Sequence, residues 1–246
     1  MGQKLSILLF HRVLPERDPL QPEIPTAAEF RRILCWARRF FRLLPLAEAV
    51  DRLERRALPS RALALTFDDG YADNHDVALP LLRECGAPAT FFIASGFLDG
   101  GRMWNDTVLE AVRGHPGNRL QSGLPGAGDL PTATPEQKRA AASQLIQALK
   151  YFPMHERQER AEALAADKAL PGLMMARTQV RKLATAGMEI GAHTMNHPIL
   201  ARLETEAARG EIGSGKAELE ALLGQPVSLF AFPNGKPGED YTTRDV

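Results

Sequence analysis

The sequence predicts an α/β fold in which parallel strands form a sheet, either open or closed into a barrel. Two observations support this class. Short apolar runs alternate with helical patterns along the 246 residues, and repeated strand–helix alternation is typical of parallel sheets. Ionisable residues also follow three of the predicted strands directly, and functional residues in such folds cluster where strands end. We therefore expect a functional site at one edge of the sheet.

Five short apolar runs are the predicted strands. They cover residues 5–10, 61–67, 88–94, 188–192 and 227–232. The third run, PATFFIA, is rich in residues that favour strands. The first run holds six apolar or small residues, which is shorter than a signal-peptide core and far shorter than a membrane span. The sequence therefore predicts a cytoplasmic chain without membrane insertion.

Helical patterns lie between these strands. They cover 26–41, the residues after Pro45, 74–86, two segments that begin at Thr134 and near Pro153, 178–187 and 204–223. Thr26 and Glu29 form a capping box, and the same pattern recurs at Thr134. Asn74 is the predicted N-cap of the third helix, and Gly224 ends the last one.

The region between the third and fourth strands predicts a helical insertion over about 114–172. Its first part is rich in Gly and Pro and has no hydrophobic period. We interpret it as a lid or a packed appendage of one domain that spans residues 1–246. The charges balance, with 30 basic and 30 acidic residues, so a nucleic-acid partner is not expected.

The second strand ends in the sequence Asp68–Asp69–Gly70. Adjacent residues of a strand face opposite sides, but a sharp turn at Gly70 brings both carboxylates to one cavity. Two close carboxylates repel unless a cation lies between them. A divalent ion held by one Asp would leave the other free as a base. The competing interpretation is that one Asp only caps the next helix.

Two histidines, His193 and His197, follow the fourth strand at a spacing typical of metal ligands. Pro198 disfavours helical backbone before it, so we expect a loop that turns the two rings together. Two imidazoles and one carboxylate leave coordination positions open, which is typical of a catalytic site. This donor set suits Zn2+, and also Co2+, Ni2+ or Fe2+.

The motifs TFDDG at 66–70 and HTMNHP at 193–198 resemble the polysaccharide deacetylases of the NodB-homology group, carbohydrate esterase family 4. The resemblance covers about residues 5 to 241. It implies a distorted (β/α) barrel that removes N-acetyl groups from a glycan with the help of a divalent metal ion, usually zinc. It also implies that Asp69, His193 and His197 bind the metal and that Asp68 is the general base.

A third motif, FPNG, is similar to the family segment that lines the substrate groove, here Phe232, Pro233 and Asn234. Its departures are specific. Ala231 stands where the family often has an Arg that orients the base, and Asn234 stands where it often has an aromatic. No His follows His197 to act as the late general acid, and only five strands are readable, so the barrel is expected to be incomplete at its C-terminus.

The opening FHRV at 10–13 resembles the branch that contains exopolysaccharide and poly-N-acetylglucosamine deacetylases. That resemblance implies that His11 serves as the general acid. The alternative is that His11 only forms a hydrogen bond at the end of its strand. Trp104 is a second candidate for substrate contact, because aromatic faces stack on sugar rings, and a core position is the alternative.

Three other functions are compatible with the same residues. A related hydrolase would open cyclic amides or cleave another non-peptide C–N bond. A non-haem iron oxygenase uses two His and one carboxylate as well, although the additional Asp68 favours hydrolysis. A catalytically impaired glycan-binding protein is the third alternative.

Overall fold

The computed structural model describes residues 4–124, 127–165 and 169–246. The chain divides into two compact units. The first comprises Met1–Glu16, Ile24–Gly101 and Leu173–Val246, and the second comprises Arg17–Glu23 and Arg102–Gly172. The predicted helical insertion, 114–172, belongs to the second unit. The organisation as one domain over 1–246 stays a prediction.

The strands are β1 (Leu5–Phe10), β2 (Arg42–Leu43), β3 (Ala62–Phe67), β4 (Thr90–Ile93), β5 (Arg119–Gln121), β6 (Asp129–Pro131) and β7 (Glu189–Ala192). In the first unit β1 pairs with β3, β3 with β4, and β4 with β7, while β2 also pairs with β3. All of these pairings are parallel. The carboxyl ends of the strands therefore meet at one edge, and the predicted α/β class is confirmed.

Three phenylalanine rings lie side by side across the first unit, just below this edge. Phe10, Phe67 and Phe91 are register partners on β1, β3 and β4. The Phe10 and Phe67 rings stack with centroids 5.3 Å apart, and those of Phe67 and Phe91 with centroids 4.7 Å apart. Each aromatic pair adds about 0.5–1.5 kcal/mol beyond its buried area. The rings thus stiffen the strand ends from which His11 and Asp68 follow.

The helices are α1 (Ala27–Phe40), α2 (Leu46–Glu54), α3 (Leu79–Glu84), α4 (Trp104–Arg113), α5 (Pro135–Leu149), α6 (Met154–Ala165), α7 (Arg177–Thr185) and α8 (Thr205–Leu223). The capping boxes at Thr26 and Thr134 are both present. Gly224 ends α8 with a left-handed φ of 67°, as predicted. Helix α4 was not predicted. Within the described ranges, no helix combines the length and apolarity needed to cross a membrane, and the cytoplasmic location stays a prediction.

Two predicted elements differ in the structure. Asn74 does not cap a helix with its side chain, because it lies inside a π-type turn, Asn74–Ala78, that precedes α3. Its side-chain NH2 group donates to the backbone carbonyl of His11 at 2.9 Å. The predicted strand 227–232 is reduced to one bridge, Ala192 with Phe230. Its first N–H, at Val227, donates instead to Glu220 of α8 at 3.0 Å.

The second unit has its own core. The hairpin of β5 and β6 is antiparallel, and the buried faces of α4 and α5 form a cluster with it that includes Val108, Leu145 and Leu149. The long segment of the second unit, Arg102–Gly172, is an excursion from the first unit, and the two residues that flank it are hydrogen-bonded to each other. The carbonyl of Gly101 accepts from the backbone N–H of Leu173 at 3.1 Å.

Candidate metal centre and active site

Asp68 and Asp69 lie in a tight turn directly after β3. Asp69 has a left-handed φ of 77° and Gly70 one of 94°; aspartate is among the few non-glycine residues that adopt this conformation readily. The N–H of Asp68 donates to the carbonyl of Phe10 at 2.9 Å, and the carbonyl of Asp69 accepts from Ala94 at 3.2 Å. Both aspartates are buried. The turn therefore brings both into the interior at the strand ends, as the Gly70 argument predicts.

His193 and His197 lie in the loop after β7, which is not helical, as Pro198 predicts. Thr194 and His197 both have positive φ, 63° and 50°. The Thr194 hydroxyl closes the loop, because it accepts from the N–H of His197 at 3.1 Å and donates to the carbonyl of His193 at 2.5 Å. The two imidazole centroids are consequently 4.9 Å apart.

The side chains of Asp69, His193 and His197 converge on one point. The Nε2 atoms of His193 and His197 lie 3.4 and 3.3 Å from Asp69 Oδ1, and the three donor atoms lie within 4.8 Å of one another. Asp69 Oδ1 is buried and accepts no hydrogen bond from any described residue. A buried oxygen left without a hydrogen bond between two ring nitrogens is an arrangement that a cation satisfies.

The imidazole ring of His193 is oriented by Ala231, the residue after the Ala192–Phe230 bridge. Its Nδ1 lies 2.9 Å from the carbonyl of Ala231. A carbonyl only accepts, so Nδ1 carries the proton, and Nε2 of the neutral ring presents its lone pair toward Asp69. Metal-ligating histidines commonly use their second nitrogen in this way. The donor set thus fits a divalent ion in geometry and in tautomer.

Burial and the histidines act in opposite directions on the pKa of Asp69. Burial alone raises this pKa, but the close approach and charge of His193 and His197 outweigh it and lower the pKa well below its usual range. For His193, burial lowers the pKa, whereas Asp69 and Asp68 raise it, and the net direction is upward. Asp69 is therefore an anion throughout the physiological range, as a metal ligand must be.

Asp68 is not one of the three converging residues, Asp69, His193 and His197. Its Oδ1 is buried and has no hydrogen-bond partner among the described residues. Burial raises the pKa of Asp68, and the charges of His193 and then His11 oppose that rise. His11 follows β1 and is exposed. The structure thus brings the predicted base within electrostatic range of the predicted acid.

The loop that carries His11 is held against the turn after β3. Asp73 accepts from Arg12 Nε at 2.8 Å and from the N–H of Val13 at 3.1 Å, and Asn74 Nδ2 donates to the His11 carbonyl at 2.9 Å. Arg12 and Asp73 are both largely buried, with side chains 11% and 10% exposed. The sequence analysis missed this pair, because nothing local distinguishes Asp73 from a surface aspartate.

The predicted substrate-binding segment lies next to the metal group through its backbone. Ala231 binds His193 as described, Pro233 is buried, and Asn234 has a positive φ of 57°. The ring of Phe232 stacks on Tyr241 with centroids 4.1 Å apart. The contact of this segment with a glycan stays a prediction.

Trp104 is the first residue of α4 and belongs to the second unit. Its ring packs on the core of that unit and lies 4.7 Å from the guanidinium carbon of Arg157. A core role accounts for these contacts, and its contact with sugar stays a prediction.

A further residue missed by the sequence analysis is Glu211 of α8. Its carboxylate accepts from the backbone N–H groups of Met195 and Asn196 at 3.2 and 2.8 Å, and from Asn196 Nδ2 at 2.8 Å. Both backbone groups belong to the loop between the two histidines. Only the folded position of α8 brings Glu211 to this loop, so no sequence signal marks it.

Comparison with known proteins gives a consistent picture. Residues 55–121 and 128–245 match the family model described as "Polysaccharide deacetylase". The chain is also 27% identical over 139 residues to the Bacillus subtilis (strain 168) protein named "Putative polysaccharide deacetylase YxkH", an alignment that covers 56% of this chain and 48% of the relative. The alignment thus spans about half the length of that relative.

Two solved structures share the fold. The Streptococcus pyogenes deacetylase PplD, solved in complex with acetate, superposes with a TM-score of 0.64 at 18% identity, covering 100% of this chain and 78% of its own. IcaB from Ammonifex degensii gives a TM-score of 0.63 at 21% identity, covering 99% and 78%. At these identities the likeness concerns the fold, and it confirms the predicted distorted-barrel α/β class.

Proposed function

Because the chain belongs to the polysaccharide deacetylase family, we propose that it removes N-acetyl groups from an N-acetylated polysaccharide or oligosaccharide, by metal-dependent amide hydrolysis. The observation that carries this proposal is that the Nε2 atoms of His193 and His197 converge on Asp69 Oδ1, a buried oxygen without a hydrogen bond from the described residues. Asp68 is the adjacent buried carboxylate. The products would be acetate and a free amino sugar. PplD, a deacetylase solved with acetate, supports acetate as the product.

We propose that Asp69, His193 and His197 hold a divalent ion, with Zn2+ as the first candidate and Co2+, Ni2+ or Fe2+ as alternatives. When bound, such an ion supplies Lewis acidity toward the acetamide carbonyl and acidity to a coordinated water. Asp68 directly precedes Asp69, is buried, and interacts electrostatically with His193, so it is the candidate base for hydrolysis at this set.

Asp68 takes the proton of the attacking water in this mechanism. Its carboxylate is buried, lies next to the metal ligands, and has an oxygen free to accept. A general base must reach the water while it remains ionised. Burial raises the pKa of Asp68, and a cation held beside it would favour its ionised form. Backbone N–H groups near Asn234 are proposed to stabilise the oxyanion of the tetrahedral intermediate.

The decisive experiment measures acetate release from N-acetylglucosamine oligomers by the chain loaded with Zn2+. We expect turnover that disappears after treatment with a chelator and returns when Zn2+ is added. A panel of cyclic amides and other small amides serves as the comparison. Hydrolysis of those amides without acetate release would support the alternative C–N hydrolase, and glycan binding without any turnover would support a glycan-binding protein.

His11 is proposed to protonate the departing amine, and the prediction is that His11→Gln lowers turnover on N-acetylated glycan by about 10²-fold or more. An aryl acetate such as 4-nitrophenyl acetate needs no protonation of its leaving group, so its hydrolysis should fall far less. His155→Gln is the matched control, because that side chain is 87% exposed. Equal losses on both substrates would indicate a structural role for His11 instead.

A further inference from the structure

The loop between the two histidines, residues 194–196, is held from two sides. On one side its carbonyls accept from the backbone of the residues after β4: Gly96 N donates to Met195 O at 2.9 Å. On the other side its N–H groups donate to Glu211 of α8, as described above. The side chain of Asn196 adds a third hydrogen bond to the same carboxylate at 2.8 Å. Glu211 is thus bonded to the loop three times.

Helix α8 also contacts this loop one turn further along. A Cβ atom at Gly215 would lie 2.6 Å from the carbonyl carbon of Thr194 and 2.9 Å from Met195 N, which is closer than any side chain can approach. Gly213, two residues earlier, has nothing within 4 Å of the same position. Glu211 and Gly215 are four residues apart and therefore share one face of the helix. That face presents one carboxylate and one bare backbone position to the loop.

The loop itself is under backbone strain. Thr194 and His197 both have positive φ, a conformation that costs a β-branched or bulky residue free energy and persists only where the surroundings impose it. The three hydrogen bonds to Glu211 and the close contact at Gly215 are surroundings of this kind. Without them we expect the loop to adopt a less strained backbone, in which the Nε2 atoms of His193 and His197 no longer lie beside the same oxygen of Asp69.

We propose that Glu211, together with Gly215, is the positioning residue of the metal loop: it holds residues 194–196 in the strained conformation that points His193 and His197 at the same ion. The proposal rests on the proposed metal site. Glu211 touches neither imidazole and neither aspartate in the described contacts, so its effect reaches the ion only through the backbone of the loop.

The test measures Zn2+ affinity by competition with a chromophoric chelator, in the full chain and without substrate. Glu211→Ala is expected to weaken Zn2+ binding by about tenfold or more, the scale seen for groups that orient metal ligands. Glu211→Gln should recover most of the affinity, because its amide oxygen accepts from the two backbone N–H groups and Asn196 can rotate its amide to accept from the new NH2 group. Glu206→Ala is the control, since that side chain lies on α8 and is 86% exposed.

A second pair of variants tests the same surface without removing a charge. Gly215→Ala should weaken Zn2+ binding, whereas Gly213→Ala, with the same change in helix propensity, should bind Zn2+ as the unmodified chain does. If Glu211→Ala fails to fold, the Zn2+ affinities of Gly215→Ala and Gly213→Ala still test whether this face of α8 positions the loop. Hydrogen exchange at the amides of Met195 and Asn196 should quicken in Glu211→Ala and stay unchanged in Glu206→Ala.

The outcomes separate the two proposals. If the unmodified chain binds no Zn2+, the metal site fails and this inference fails with it. If the unmodified chain binds Zn2+ and Glu211→Ala and Gly215→Ala bind it equally well, the metal site stands and the positioning role is overturned. Weaker binding in Glu211→Ala without recovery in Glu211→Gln would also overturn the hydrogen-bonding role.

Discussion

Asp69→Asn is expected to reduce deacetylation below detection and to remove Zn2+ binding. Asp69 is the only anion of the proposed donor set, and its Oδ1 lies within 3.4 Å of both Nε2 atoms. The asparagine has nearly the same volume, so the buried turn keeps its packing while the charge that attracts the ion is lost. A ligand that binds only the folded state stabilises it by about 2.7 kcal/mol at one hundred times its dissociation constant.

The measurement is therefore a thermal unfolding series with and without Zn2+, read beside acetate release. The unmodified chain should unfold at a higher temperature when Zn2+ is added, and Asp69→Asn should not. Asp76→Asn is the control, because Asp76 is in the same unit and its side chain is 57% exposed. A normal Zn2+-dependent shift in Asp69→Asn would remove Asp69 from the ligand set.

Asp68→Asn is expected to separate binding from chemistry. Asp68 lies outside the group of three converging donor atoms, so Zn2+ should still raise the unfolding temperature. Turnover should fall by about 10²-fold or more, because the amide cannot take a proton from water. Burial raises the pKa of Asp68. The rate of the unmodified chain should consequently decline as the pH falls through that pKa and Asp68 becomes protonated.

The control for Asp68→Asn is internal to the pH profile. The residual activity of the variant should lose the decline on the acid side, since the group that titrates there is gone. Retention of full activity would end the role of Asp68 as base. Loss of the Zn2+-dependent thermal shift would instead make Asp68 a ligand, contrary to the family resemblance.

Much of the candidate site could be predicted because its chemistry is local in sequence. Asp68 and Asp69 sit directly after a fully buried strand, and His193 directly follows β7. Parallel pairing then places these strand ends together without further information. The capping boxes at Thr26 and Thr134 were equally local, and both were confirmed.

What could not be predicted depends on contacts distant in sequence. Glu211 reaches the metal loop only because α8 packs there, and Asp73 accepts from Arg12, 61 residues earlier. Asn74 was predicted to cap a helix, but it is the first residue inside the π-type turn, and its side-chain NH2 group donates to the carbonyl of His11, a partner distant in sequence. The predicted strand 227–232 keeps only the pairing around Phe230 with Ala192, while the N–H of Val227 at its start donates to Glu220 of α8. A single sequence gives no signal for such partners.

The hydrogen bond between Gly101 and Leu173 has a consequence for how this chain tolerates change in length. It joins the residues that flank the excursion, residues 102–172, so the two ends of the excursion are held together within the first unit. The entropy of closing a loop grows only slowly with its length. Lengthening the excursion should therefore cost the sheet little, and a foreign module grafted into it is expected to leave the first unit folded.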